Sequence, residues 1–130
     1  MTTYFGITLA TVLLAFVLLQ WHLANKAKSM EGQAVPELEP DIESKLRERG
    51  KVLLYFYSPK CAPCRAMTPV IDHAAARHDN VFKLDIARSL ELARSLGVMG
   101  TPTTLLVADG RIAQVNLGSL SEKRLEELLA

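Results

Sequence analysis

Polar and apolar positions divide the chain into two regions of different character. From Phe5 to Leu19 the sequence FGITLATVLLAFVLL holds nothing more polar than Thr or Gly, and the run continues through Gln20, Trp21 and His22 to Leu23 and Ala24. About 20 residues at 1.5 Å each are enough to cross a hydrocarbon core of about 30 Å. Tyr4 and Trp21 bracket the stretch, where amphipathic rings favour the membrane interface. Residues 25 to 40 have no apolar period and carry Gly32, Pro36 and Pro40, the pattern of a linker.

Short periodic segments follow. Asp41 is placed to cap a helix with Ile42 and Leu46 inward and Gly50 as its left-handed stop. Val52 to Tyr57 is a continuous β-branched and aromatic run, short enough to predict a buried strand. After Ser58-Pro59-Lys60, the segment CAPCRAMTPVIDHAAARH has apolar residues at 66, 67, 70, 71 and 74 in helical spacing, and Pro69 predicts a kink there. Val81 to Ile86 reads as a second strand and Ser89 to Leu96 as a helix ended by Gly97. Thr103 to Ala108 and Ile112 to Leu117 form a hairpin around Asp109-Gly110. Ser121 caps a last helix, with Glu122 near its positive end and Leu120 and Leu125 as a hydrophobic staple. This order predicts an α/β domain whose mixed sheet carries helices on both faces. The organisation expected is an anchor over 1–24, a linker over 25–40 and a domain over 41–130.

Composition sharpens the division. All 29 charged residues, 15 basic and 14 acidic, lie after position 24. A net charge of +1 offers no electrostatic footprint for nucleic acid, so no nucleic-acid partner is expected. The first segment reads as an uncleaved single span in preference to two competitors, a signal peptide and a core helix. No Lys or Arg precedes the apolar run, and Trp21-His22-Leu23 is a poor cleavage exit. Lys26 and Lys28 follow the span, which by the positive-inside tendency places the large C-terminal part in the cytoplasm. A periplasm-facing domain is the alternative.

The two cysteines, Cys61 and Cys64, are too few for a structural framework. They straddle a strand-to-helix turn, with Pro63 suited to the first helical turn. Unpaired N–H groups and the helix dipole stabilise a thiolate at that place, and Lys60 adds positive charge beside Cys61. An exposed Cys61 can attack a target disulfide and Cys64 can attack the mixed disulfide that results. This chemistry needs no cofactor. A zinc site completed by His73 and His78 fits poorly, since His73 lies about 14 Å along the helix at 1.5 Å per residue and zinc needs bonds of about 2 Å. The histidines read as surface residues, and no metal is expected. Two inert core thiols are the remaining reading.

Residues 41 to 130 resemble the thioredoxin family. KVLLYFYSPKCAPCRAMTPVI is similar to the family's active-site strand, Cys-x-Pro-Cys turn and kinked helix. GVMGTPTTLLVADGRIAQVNLGSL is similar to its Gly-x-x-Gly-x-Pro-Thr loop, hairpin and nearby glycine. The resemblance implies a thioredoxin-like fold of four to five strands, with residues 33 to 39 the one candidate for the family's extra edge strand. It implies a cis Thr101-Pro102 bond and a substrate groove of Gly100, Thr101, Pro102 and Gly118 beside Cys61, walled by Val98 and Met99. As structure alone, Gly-Thr-Pro-Thr is a loop entering a strand.

Three departures stand out. Lys60 replaces the family's usual Trp, and Ala-Pro replaces Gly-Pro between the cysteines. The family's buried Asp, assigned to proton transfer under the second cysteine, aligns with Tyr55. A phenol, ordinarily ionising near pH 10, is a poor base at neutral pH. Lys83 matches the family's buried lysine and is expected to face Tyr55, so that water or Lys83 deprotonates Cys64 and resolution is slow. The implied function is a membrane-anchored thiol-disulfide oxidoreductase that reduces protein disulfides. A thioredoxin-reductase-like enzyme, or a membrane electron donor, would recharge it. Alternatives are a periplasmic reductase of the cytochrome c maturation type and a redox-silent binding module.

Overall fold

Strand β1, Lys51–Tyr57, is apolar after its first residue because both of its faces are covered from Val52 to Phe56. Val52, Leu54 and Phe56 enter one core with Ile42, Leu105 and Val107, while Leu53 and Tyr55 enter a second with Met67, Ile71, Leu106 and Leu125. Each such side chain, taken fully out of water, contributes about 1.5–3 kcal/mol before entropic costs. The computed structural model describes residues 1–130, the side chain of Ala27 excepted.

Around β1 are arranged β2 (Val81–Asp85), β3 (Thr103–Ala108) and β4 (Arg111–Leu117). The sheet order is β2-β1-β3-β4, with β1 parallel to β2 and the other two pairs antiparallel. Asp109 and Gly110 close the β3–β4 hairpin with φ of +54° and +74°, the doubly left-handed turn whose twist matches that of its strands. One core lies under α2 (Pro40–Arg49) and α4 (Leu90–Ser95). The other lies under α3 (Ala62–Arg77) and α5 (Glu122–Leu129). This is the two-faced mixed sheet that the element order predicts.

The helix ends follow the local chemistry, with one correction. Gly50 ends α2 at φ +78°, donating its N–H to the carbonyl oxygen of Leu46 at 2.8 Å. Ser121 caps α5, its hydroxyl accepting from the N–H of Arg124 at 3.2 Å. Asp41 does not cap α2. Glu39 occupies the cap position without a side-chain bond, and Pro40 starts the helix two residues earlier than expected. Its ring presets the helical φ and its missing N–H would be unpaired there anyway, leaving Asp41 in the first turn, where its negative charge complements the helix dipole.

The larger correction concerns residues 25–40. Helix α1 runs unbroken from Thr2 to Ser29, past the end of the apolar run. The segment after it is bound to the sheet edge. Gly32 donates its N–H to the carbonyl oxygen of Ile112 at 2.6 Å, Ile112 donates to Gln33 at 2.9 Å and Val35 donates to Gly110 at 3.0 Å. Ala34 makes one antiparallel bridge with Arg111, and Leu38 is buried in the α2-side core. The expected linker is therefore mostly structured, yet it adds a single bridge at the outer edge of β4 and no fifth strand. The Thr2–Lys26 stretch of α1 is long and apolar enough to cross a membrane, and none of it is buried against the protein.

Candidate active site

The strand β1 ends at Tyr57, and the chain turns through Ser58 to Lys60 into α3. Cys61 is the N-cap of that helix, in extended conformation, and its Sγ accepts the N–H of Cys64 at 3.3 Å. A sulfur thus occupies the place usually taken by a capping oxygen, where the helix dipole favours negative charge. Cys61 and Cys64 are joined as a disulfide, their Cα atoms 5.2 Å apart. The two sulfurs are not equivalent: Cys64 is buried at 2% exposure, and Cys61 is half-buried. Pro63 lies in the first turn, and Lys60 is exposed beside Cys61.

The loop before β3 lies directly against the outer sulfur. Cys61 Sγ is 3.6 Å from the carbonyl oxygen of Thr101, and the Thr101-Pro102 bond is cis. Gly118, at φ +83°, donates its N–H to the carbonyl oxygen of Pro102 at 2.9 Å. Thr103 is fully buried, and its hydroxyl donates to the carbonyl oxygen of Gly100 at 2.7 Å. Gly100, Thr101, Pro102 and Gly118 are therefore one cluster beside Cys61. Met99 projects from the same loop at 76% exposure. Val98 does not line this surface as expected, because its side chain is packed into the α2-side core.

Beneath the buried sulfur stands Tyr55, itself fully buried. Its hydroxyl donates to the carbonyl oxygen of Cys64 at 3.3 Å and meets Thr68 Oγ1 at the same distance. Thr68 in turn donates to the Cys64 carbonyl oxygen at 2.8 Å. Two hydroxyls thus hold the first turn of α3 from below. Thr68 was not evident as a site residue in the sequence; its signal is the spacing of four from Cys64, which stacks the two residues on one helix face.

Lys83 does not face the Tyr55 hydroxyl, a second correction. The parallel register pairs Lys83 with Tyr55 at the backbone, but β2 is an edge strand and the long side chain reaches outward. Its ammonium bonds Asp72 on α3 at 3.1 Å and lies 5.5 Å from the centre of the Tyr57 ring. The stem can lie along apolar surface while the charge stays in water. His73 and His78 pair with Glu122 and Glu126 at 2.6 and 2.8 Å, both remote from the cysteines along α3.

The arrangement has counterparts among known proteins. The profile of the family described as Thioredoxin matches residues 34–130. A thioredoxin from Bacillus subtilis is 32% identical over 83 residues, covering 62% of this chain and 80% of that protein. One from Pseudomonas aeruginosa is 32% identical over 87 residues, covering 65% and 81%. Among solved structures, a mutant thioredoxin from Halobacterium salinarum superposes with a TM-score of 0.62 at 31% identity, over 75% of this chain and 92% of that one. With its Cys61–Cys64 disulfide at the start of a helix, the chain belongs to the thioredoxin family as a dithiol-disulfide oxidoreductase.

Proposed function

We propose that the chain is a membrane-anchored reductase of protein disulfides, with Cys61 as nucleophile and Cys64 as resolving thiol. The observation that carries this reading is the position of Cys61 Sγ, half-exposed at a helix N-terminus and 3.6 Å from the Thr101 carbonyl oxygen. In the reduced protein the Cys61 thiolate attacks one sulfur of a target disulfide. A bond forms between Cys61 and the target, the target S–S bond breaks, and one target sulfur leaves as a thiolate. Cys64, having released its proton to water, then attacks Cys61 Sγ. The internal disulfide forms, the second target thiolate leaves, and two electrons have passed to the target.

Gly100, Thr101, Pro102 and Gly118 form the groove that receives the target chain, with Thr101 offering its backbone and Lys60 a positive rim. Tyr55 and Thr68 orient the helix turn that carries Cys64, and neither serves as the base. Lys83, engaged by Asp72 at the surface, is replaced in that role by water. A thioredoxin-reductase-like enzyme or a membrane electron donor returns the pair to the dithiol. The anchor reading rests on the uncovered apolar length of α1, and the cytoplasmic orientation on Lys26 and Lys28 after the span.

Reduction of insulin by the full chain in detergent, with Cys61→Ser as control, tests the chemistry; an inactive wild type overturns it. A topology reporter fused after Ala130 tests the orientation, and a periplasmic signal overturns the cytoplasmic assignment.

A further inference from the structure

The foot of the apolar helix and the active-site loop share one surface. Register brings them to the same end of the sheet: Leu117 at the end of β4 pairs with Thr103 at the start of β3, which pairs with Phe56 near the end of β1. Cys61 follows from that end of β1. A crevice of about 240 Å³ there is lined by Leu23, Lys26 and Met30 from the helix side and by Gly97, Met99 and Leu117 from the domain. Beyond α1 three large apolar side chains are exposed among the described residues, and two of them, Met99 at 76% and Leu117 at 57%, lie in this crevice.

We propose that Met99 and Leu117 rest on the lipid surface at the foot of the anchor, holding Cys61 toward the membrane interface. The inference depends on the reading of α1 as a span. A hydrocarbon core of about 30 Å takes up about 20 helical residues, so a span starting near Tyr4 ends near Leu23, the residue that meets the domain. Lys26, one turn further, falls at the headgroup level, where a cation is favoured beside anionic lipid. The uncovered apolar surface of α1 therefore continues without a break onto Met99 and Leu117. Gly100 also lines the crevice, and the next residue, Thr101, touches Cys61 Sγ. The lipid surface is the occupant that fits, because the rim is contiguous with the surface of the span itself. Disulfides in membrane-proximal segments of other proteins are then the targets closest to the nucleophile.

Brominated lipids quench tryptophan on contact, and the chain has one tryptophan, Trp21. The full chain is placed in vesicles of phosphatidylcholine and phosphatidylglycerol, with bromine at a shallow acyl position. Wild-type Trp21 reports the anchor. In a Trp21→Phe background, Met99→Trp and, separately, Leu117→Trp report the rim, while Glu48→Trp on α2 reports the far end of the sheet. The expected result is quenching of Trp21 and at least twofold quenching of both rim probes, with the Glu48→Trp signal unchanged. Quenching of Trp21 with rim probes no more quenched than Glu48→Trp overturns the inference and leaves the anchor standing. An unquenched Trp21 overturns the anchor and the inference with it. Either rim variant alone suffices if the other fails to fold.

Discussion

The Tyr55 hydroxyl donates to the main-chain carbonyl oxygen of Cys64, at 3.3 Å, and does not address the sulfur. The residue beneath the buried cysteine is thereby a brace for the helix turn, and the proton of that thiol has no acid–base partner from β1. Resolution of the mixed disulfide is the step this affects. Tyr55→Asp should accelerate it by about tenfold, below the ~10²–10⁴ that a well-placed general base supplies. Stopped-flow measurement of single-turnover reduction of a model disulfide decides the matter, and equal rates in variant and wild type sink the idea. Tyr55→Phe keeps the wild-type rate and costs about 1 kcal/mol of stability, the net worth of a hydrogen bond.

Unequal burial of the two sulfurs sets the outcome of removing each. Cys61→Ser abolishes disulfide reduction, since the sulfur within reach of a large substrate is gone. Cys64→Ser retains attack and loses release, so it accumulates a covalent adduct with a disulfide substrate. Non-reducing electrophoresis followed by mass spectrometry should find that adduct linked through Cys61; no adduct from Cys64→Ser would count against the assigned order of attack.

Gly97 sits at φ +73°, and a Cβ built on it would lie 2.8 Å from the Met30 sulfur. Gly97→Ala combines the left-handed cost of about 1–2 kcal/mol with displacement of Met30. A fall in Tm of about 4–8 °C per kcal/mol lost is expected for a domain of this size. An unchanged thermal midpoint would show that the helix-to-domain junction tolerates the added methyl.

Asp79 ties α2 to the turn before β2, meeting Lys45 and Arg49 each at 2.8 Å. Hydrogen bonds from Lys45 and then Arg49 hold its carboxyl down at about 2, against 3.8 ordinarily. A depressed carboxyl stabilises the fold fully above its unfolded value and loses that contribution as pH falls from about 4 through about 2. Acid unfolding of Asp79→Asn followed by circular dichroism should therefore show a flatter loss of stability between those limits. The same slope as wild type would refute the coupling.

Most of the fold was legible because local chemistry and tertiary structure agree. Asp109-Gly110 can adopt the two positive φ values its turn demands, and Ser121 carries the oxygen its helix start requires. The alternation of Val52, Leu54 and Phe56 with Leu53 and Tyr55 was hidden in an unbroken apolar run, and only the double-sided burial shows which residue belongs to which core. The segment from Gly32 to Leu38 was illegible for a different reason. One bridge and a few edge hydrogen bonds leave no period in the side chains, because they are made by the backbone. At the site, the dithiol was readable from its spacing, and the proline loop only through the family resemblance. Lys83 was not, since register placed it opposite Tyr55 while its flexible stem carries the charge to Asp72. Val98 likewise sits one residue from an exposed loop position and is turned into the core.

Among the described residues the buried polar side chains are Asn80, Thr103 and Thr104, none of them a carboxylate or ammonium, and Lys83 is bonded to Asp72 at the surface. A change of redox state therefore moves no charge on a neighbouring acid. Electrons gained by the cysteines bring only the protons of the two thiols themselves, so the midpoint potential should follow pH along a single slope until the first thiol ionises. On this arrangement the protons expected to accompany the electrons are those of the dithiol.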